Sequence, residues 1–250
     1  MAKYVVNINW DEAVHLSAED KATLMASYSP AEREARSKGI PSVGSGAIYP
    51  VPESDFVVDT FNIPPHWVRA FGMDVGWKRT AAVWGAYNSQ EDCWYLYSEH
   101  YRGYSEPSIH VNAIQSRGKW ISGVIDPAAR AAKRQSDGIA LLDEYMDLGL
   151  DLSIANNAVE AGLLEVFQRL ATGRLKVMKH LTNWLSECRI YRRDDKGRIV
   201  KKDDHLMDAT RYLMMSGMDV ASLAPDSDEE INGNQHGLDA DVGRNSVTGY

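Results

Sequence analysis

Apolar residues between Trp67 and Gly217 fall into two alternating patterns: short runs that end in an acid or a turn residue, and longer stretches of helical period. Residues 68–75 read as a first strand carrying Asp74 near its end. Residues 80–87 and 93–101 read as two more. The turn Asn88-Ser-Gln-Glu-Asp92 between them is short enough for an antiparallel meander. Pro107 opens a helix that runs to about Arg117. Residues 120–126 form a fourth strand. Residues 137–147 form an amphipathic helix closed by Gly149, and residues 150–155 a fifth strand. A helix over 158–171 stops at Gly173, and residues 175–178 are a short strand or an extended link. A helix over about 181–191 leads into a hairpin-like segment turned at Asp195-Lys-Gly197. One option places its strands at 188–193 and 198–201. The last helix spans about 203–217.

Residues 1–60 read as an appendage. Tyr4-Val-Val-Asn-Ile-Asn suggests a short strand. Ser17-Ala-Glu-Asp20 resembles a capping box, with the hydroxyl at the cap and an acid three residues on, and a helix runs from it to about Ser27. Ser29-Pro30 opens another helix that ends near Gly39. The loop Gly39-Ile-Pro-Ser-Val-Gly44-Ser-Gly46 has two glycines at P-loop separation, but Ser45 stands where the phosphate-binding Lys belongs. No complete P-loop occurs elsewhere, so nucleotide hydrolysis by this chain is rejected. After Pro225 the chain is acidic and carries several Gly and Asn residues, which predicts a disordered tail over 221–250.

Composition narrows the class without deciding it. The chain has 250 residues, with 44% hydrophobic and 25% charged, as in an ordinary soluble domain. No apolar run is long enough for a membrane span. Cys93 and Cys188 read as reduced, buried thiols. The net charge of −8 is unevenly spread. The stretch after Pro225 contributes −5, whereas Arg189 to Lys202 carries a local +5. Arg130, Lys133 and Arg134 form a second basic cluster. A basic stripe near acidic residues suits an enzyme that acts on a phosphate backbone.

The acids carry the candidate chemistry. Phe71-Gly-Met-Asp74-Val-Gly76 and Val124-Ile-Asp126-Pro127 each put an Asp at the end of a strand. Asp203-Asp-His-Leu-Met-Asp208-Ala-Thr-Arg-Tyr212 puts Asp204 and Asp208 one turn apart on a helix. Three early strands, a helix, a strand and further α/β units give the order of an RNase H-like fold. That is an α/β architecture with a mixed central sheet and helices on both faces. In it the first and fourth strands lie side by side, and a late helix crosses the same edge. Asp74, Asp126 and Asp208 would then converge as a hard, oxygen-rich pocket for Mg²⁺ or Mn²⁺, with Asp204 a further ligand candidate. His205 would orient a carboxylate, assist proton transfer or cap the helix start, a supporting or structural role being favoured. Lys78, Arg79, Arg130, Arg192, Arg193, Arg198, Lys201 and Lys202 are candidates for gripping DNA phosphates. The tryptophans, Trp77 among them, read as core and interface packing rather than base-stacking platforms.

Several motifs in order resemble the nuclease domain of tailed-phage terminase large subunits. They are Gly72-Met-Asp74-Val-Gly76, Asp126-Pro-Ala-Ala-Arg130, Asn157-Ala-Val-Glu-Ala-Gly162, Gly173-Arg-Leu-Lys-Val177, the run from Glu187 to Gly197, and Asp204 to Tyr212. Trp10-Asp-Glu-Ala-Val-His15-Leu and the glycine loop at 39–46 resemble the segment that joins the packaging ATPase to the nuclease. The resemblance implies a two-metal-ion endonuclease, using two Mg²⁺ or Mn²⁺ ions, that cuts double-stranded DNA concatemers during genome packaging. It would act at the procapsid portal in the host cytoplasm. The implied partners are the portal protein, the small terminase subunit and the ATPase domain of the same subunit. That ATPase half is missing here, so the chain is expected to be a fragment or a split-gene product, with residues 1–60 a linker remnant and 61–220 the nuclease. Another RNase H-like nuclease, such as a junction resolvase, and a non-catalytic docking module for portal or small subunit are the alternatives.

Overall fold

The computed structural model describes residues 17–27, 46–131 and 140–225. The expected strand near Tyr4, the helix opened by Pro30, the glycine loop before Gly46, the basic pair Lys133 and Arg134, the helix start at Asp137 and the acidic tail beyond Pro225 lie outside the described residues. Ser222, expected in the disordered tail over 221–250, is instead ordered, exchanging backbone hydrogen bonds with Arg69 at 2.8 and 3.1 Å. Helix α1 (Ala18–Ser27) begins at the expected capping box. The Asp20 amide donates to Ser17 Oγ at 3.1 Å, and the Ser17 amide donates to Asp20 Oδ2 at 3.3 Å.

The elements that follow are α2 (Glu53–Phe56), β1 (Val57–Val58), β2 (Val68–Asp74), β3 (Thr80–Asn88), β4 (Cys93–Arg102), α3 (Pro107–Gln115), β5 (Gly123–Ile125), α4 (Ala128–Ala131), α5 (Leu141–Asp147), β6 (Leu152–Ile154), α6 (Val159–Ala171), β7 (Leu175–Met178), α7 (Thr182–Ile190) and α8 (His205–Val220). They build one seven-stranded sheet in the order β1-β7-β4-β3-β2-β5-β6. Strand β3 is antiparallel to β2 and β4, and the other pairings are parallel. The sheet is therefore mixed, as expected.

Helices cover both faces, which is why the strands read as nearly continuous apolar runs. Side chains alternate along each strand. In β2 and β3, Ala70, Ala81 and Val83 enter the core shared with α6, α7 and α8, while Phe71, Met73, Ala82 and Trp84 enter the core shared with α3 and α5.

Two expectations about the edges of the domain are corrected. Val57 and Val58, placed in a linker by the sequence, pair in parallel with Val177 and Met178, and Phe56 is buried beside them. Residues 175–178 are accordingly a strand, held between β1 and β4. The expected hairpin shrinks to one bridge, Arg193 to Ile199, because α7 runs on through Cys188 to Ile190 and takes up the first of its strands. Helix α8 lies directly on β2. A Cβ placed on Gly72 would stand 2.1 Å from the Ala209 carbonyl oxygen, so only a glycine lets helix and strand approach this closely.

Candidate functional site

Strand register brings the first two acids together. Parallel pairing sets Gly72 against Val124 and Met73 against Ile125, so Asp74 and Asp126 come next, side by side. The Asp126 amide donates to the Met73 carbonyl at 3.2 Å. Alternation decides which face they use. Val124 packs with Tyr212 of α8 and Ile125 packs on the opposite face, so the acid two residues after Val124 turns toward α8. Asp74, two residues after Gly72, does the same. Asp126 Oδ1 accepts the Ala128 amide at 3.0 Å and so caps the turn at α4.

Helix α8 runs antiparallel to β2, with Gly217 near Ala70 and Ala209 at Gly72. Its N-terminus, which carries His205 and Asp208, therefore lies at the Asp74 end of the sheet. His205 Nδ1 is 2.8 Å from Asp74 Oδ2. Burial raises the pKa of Asp74, as do Asp208 and Asp126 close by, while the bond from His205 opposes them. That same bond raises the pKa of His205. Asp204 is the N-cap residue rather than a member of the helix, and its carbonyl accepts the Asp208 amide at 2.9 Å. Asp208 is held between cations. Lys201 Nζ is 3.0 Å from its Oδ2, and the Arg211 guanidinium is 3.1 Å from its Oδ1. Arg211 is itself buried and also donates to Asn157 Oδ1 at 2.9 Å.

Two carboxylates unnoticed in the sequence fix this helix in place. Glu99 on β4 accepts the amides of Asn183 and Trp184, at 3.0 and 2.9 Å, at the start of α7. Glu187 on α7 is buried, and its Oε2 accepts the Leu206 amide at 2.6 Å, at the start of α8. Each acid meets the positive end of a helix. The chain of caps thus runs from sheet to α7 to α8. Burial raises the pKa of Glu187. Its long reach to α8 leaves no local signature. The only hint is an acid on the face that otherwise buries Trp184 and Leu185.

The donors are hard oxygens on rigid elements, which is the right chemistry for a divalent cation. Asp204 Oδ2 is buried with no hydrogen-bond partner; Lys201 Nζ lies 3.1 Å away without hydrogen-bond alignment. A buried carboxylate oxygen in that state is a ligand-competent atom. Among the described residues, however, no group of three or more His, Cys, Asp or Glu side chains is already closed around one ion position. The ion pairs explain this, since Asp208 is drawn to Lys201 and Arg211, and Asp74 to His205. The residues fit a metal in their chemistry.

The basic candidates divide. Lys201 turns inward to the acids, Arg193 pairs with Glu160 at 2.5 Å, and Arg198 pairs with Asp194 at 3.0 Å. Lys78, Arg130, Arg192 and Lys202 are exposed and form no ion pair among the described residues. Arg79 lies over the Tyr101 ring at 4.2 Å. Trp84, Trp94 and Trp184 are fully buried, as expected, but Trp77 is 63% exposed, which corrects its reading as a packing residue. It sits in the β2–β3 turn, beyond the reach of either core. No helix among the described residues is long and apolar enough to cross a membrane.

Comparison with known proteins agrees with this fold. The family model described as the terminase RNaseH-like domain matches residues 71–216. The terminase large subunit of Enterobacteria phage LP7 is 32% identical over 221 residues, covering 84% of this chain and 46% of that protein. This chain therefore spans about half the length of the curated relatives it matches. The nuclease domain of the phage P22 large terminase superposes with a TM-score of 0.65 at 27% identity, covering 72% of this chain and 96% of that one. The large terminase nuclease of thermophilic phage G20c, solved with bound cobalt, shares the fold alone, with a TM-score of 0.50 at 12% identity over 69% of this chain and 98% of that one.

Proposed function

The chain belongs to the terminase RNase H-like domain family, and from that premise we propose that it is the nuclease part of a phage large terminase, cutting double-stranded DNA with divalent metal ions. The observation that carries the proposal is the register that sets Asp74 beside Asp126 under the N-terminus of α8. Asp74, Asp126 and Asp208 would hold two Mg²⁺ or Mn²⁺ ions, with Asp204 as an additional oxygen donor. A bound ion supplies Lewis acidity at the scissile phosphate and charge compensation for the departing 3′ oxygen.

The chain's own residues do the rest. His205 fixes one oxygen of Asp74. Arg211, anchored by Asn157, fixes Asp208. The caps from Glu99 and Glu187 hold α8 at one height over the sheet. A water molecule adds across one P–O bond in line with the departing oxygen, leaving one phosphate end and one hydroxyl end. Lys78, Arg79, Arg130, Arg192 and Lys202 would grip phosphates, which positions DNA without reading its sequence. Arg193, Arg198 and Lys201 join them only by leaving their carboxylate partners. The whole subunit would work with its ATPase domain, the portal protein and the small terminase subunit at the procapsid in the host cytoplasm.

Supercoiled plasmid incubated with Mg²⁺ or Mn²⁺ tests the proposal. Relaxed and linear forms are expected with metal and none with chelator. Cutting that survives chelator, or that persists in properly folded Asp74→Asn, Asp126→Asn and Asp208→Asn variants, overturns it.

A further inference from the structure

Two large aromatic side chains stand in water at the same end of the sheet as the acids. Trp77, three residues past Asp74, is 63% exposed, and Tyr104, two residues past the end of β4, is 69% exposed. They are not loose. Their rings meet edge to face with centroids 6.3 Å apart. The Tyr104 amide donates to the Trp77 carbonyl at 2.8 Å, which ties the two loops together. Between them, Gly103 packs so tightly that a Cβ there would stand 2.1 Å from the Lys78 carbonyl oxygen. Tyr104 itself has φ +53, a left-handed conformation that is unfavourable for a bulky residue and persists only where surrounding structure enforces it. The fold thus spends strain to hold an aromatic pair out of the core.

The surroundings favour one occupant. Lys78 and Arg79 follow Trp77, and Arg102 precedes Gly103, with its Nε held by Ser105 Oγ at 2.8 Å. Aromatic rings between cations, beside acids suited to a phosphodiester, match the chemistry of a nucleic acid strand with its bases turned out. Cations meet the backbone and rings meet the base faces. A protein partner would find the same rings, but the three flanking cations, Lys78, Arg79 and Arg102, outnumber the one flanking acid, Glu106, and fit a polyanion better. We propose that Trp77 and Tyr104 form a stacking platform for unpaired bases of DNA held at the carboxylate site, a role that rests on the DNA reading above.

The test is DNA binding in chelator, so that no strand is cut, followed by fluorescence anisotropy. The probes are a matched duplex and the same duplex with a central unpaired loop. Wild type should prefer the looped duplex by about tenfold, the order expected for one stacked base. Trp77→Ala with Tyr104→Ala should abolish that preference while leaving matched-duplex affinity and its salt slope within about twofold, because the phosphate contacts remain. Trp77→Phe should keep most of the preference. Equal binding of both probes by wild type, or an unchanged preference in the double variant, overturns the platform and leaves the nuclease reading intact. Equal weakening of both probes in the double variant also overturns it, since the rings would then support the duplex surface generally. No binding of either probe by wild type removes the DNA reading and the platform with it. A change confined to self-association, measured by sedimentation, would assign the rings to a protein contact and overturn the platform.

Discussion

Replacing Gly72 by alanine adds a single methyl group at the contact that sets the height of α8 over the sheet. That methyl would lie 2.1 Å from the Ala209 carbonyl oxygen and 3.0 Å from both the amide nitrogen and the Cβ of Leu213. The first contact is more than about 1 Å short of ordinary van der Waals distance. Two of the three neighbours are helix backbone, so no side chain can swing away. The helix must rise, and Asp208 and His205, one turn or less from Ala209, rise with it while Asp74 and Asp126 stay on the sheet. Overpacking of this kind costs about 1–3 kcal/mol. Displacement of a reacting constellation by about 1 Å costs on the order of a hundredfold in rate. Urea unfolding and plasmid cleavage, measured on the same preparation, read both effects. Gly197→Ala is the control. Its φ is +76 with nothing within 4 Å, so it should lose about 1–2 kcal/mol through local backbone strain alone and keep its rate. A Gly72→Ala protein with wild-type unfolding midpoint and wild-type cleavage would refute the claim that this contact seats the helix.

Other outcomes follow from the same geometry. Glu187→Ala leaves the buried Leu206 amide without its acceptor and should cost about 1–3 kcal/mol in unfolding free energy. Glu187→Gln keeps an acceptor, removes a charge that burial disfavours, and should be neutral or stabilising at pH 7; a destabilisation equal to that of the Ala variant would contradict the capping role. His100 and His110 are buried and hydrogen-bonded to each other at 2.8 Å, and burial lowers the pKa of His100 to about 4. A depressed histidine pKa gives stability that is present above its unfolded value and lost as pH falls through the folded one. Urea midpoints should therefore drop between about pH 6.5 and 4, by at most about 3 kcal/mol from this residue. His100→Gln should flatten that drop, and an unchanged pH profile would count against it. Arg192→Ala with Lys202→Ala should lower the salt slope of duplex binding by about 0.9 for each phosphate no longer neutralised; an unchanged slope would make the segment ordinary surface.

The sequence revealed those features that depend on near neighbours. Asp74 and Asp126 could be placed because each ends an apolar run, and period-two alternation then fixes their common face. The last helix could be placed by its own periodicity, although Asp204 proved to be its cap. What escaped depends on distant partners. Val57 and Val58 join the sheet by pairing with residues about 120 positions later, an arrangement that two valines cannot announce. Glu187 looks like any helical acid until α8 arrives above it. Lys201 read as a DNA-binding residue because a basic run suggests one, yet carboxylates of the following helix claim it. Trp77 looked like core because tryptophan usually is, and only the tight β2–β3 turn puts it outside.

If Asp74, Asp126 and Asp208 hold divalent metal, as proposed, anomalous diffraction from crystals soaked in Mn²⁺ will show it. Manganese peaks are expected in bonding contact with all three carboxylates, with Lys201 withdrawn from Asp208. Crystals saturated with Mn²⁺ that show no peak between these acids, and retain the Lys201 pairs, would contradict the proposal.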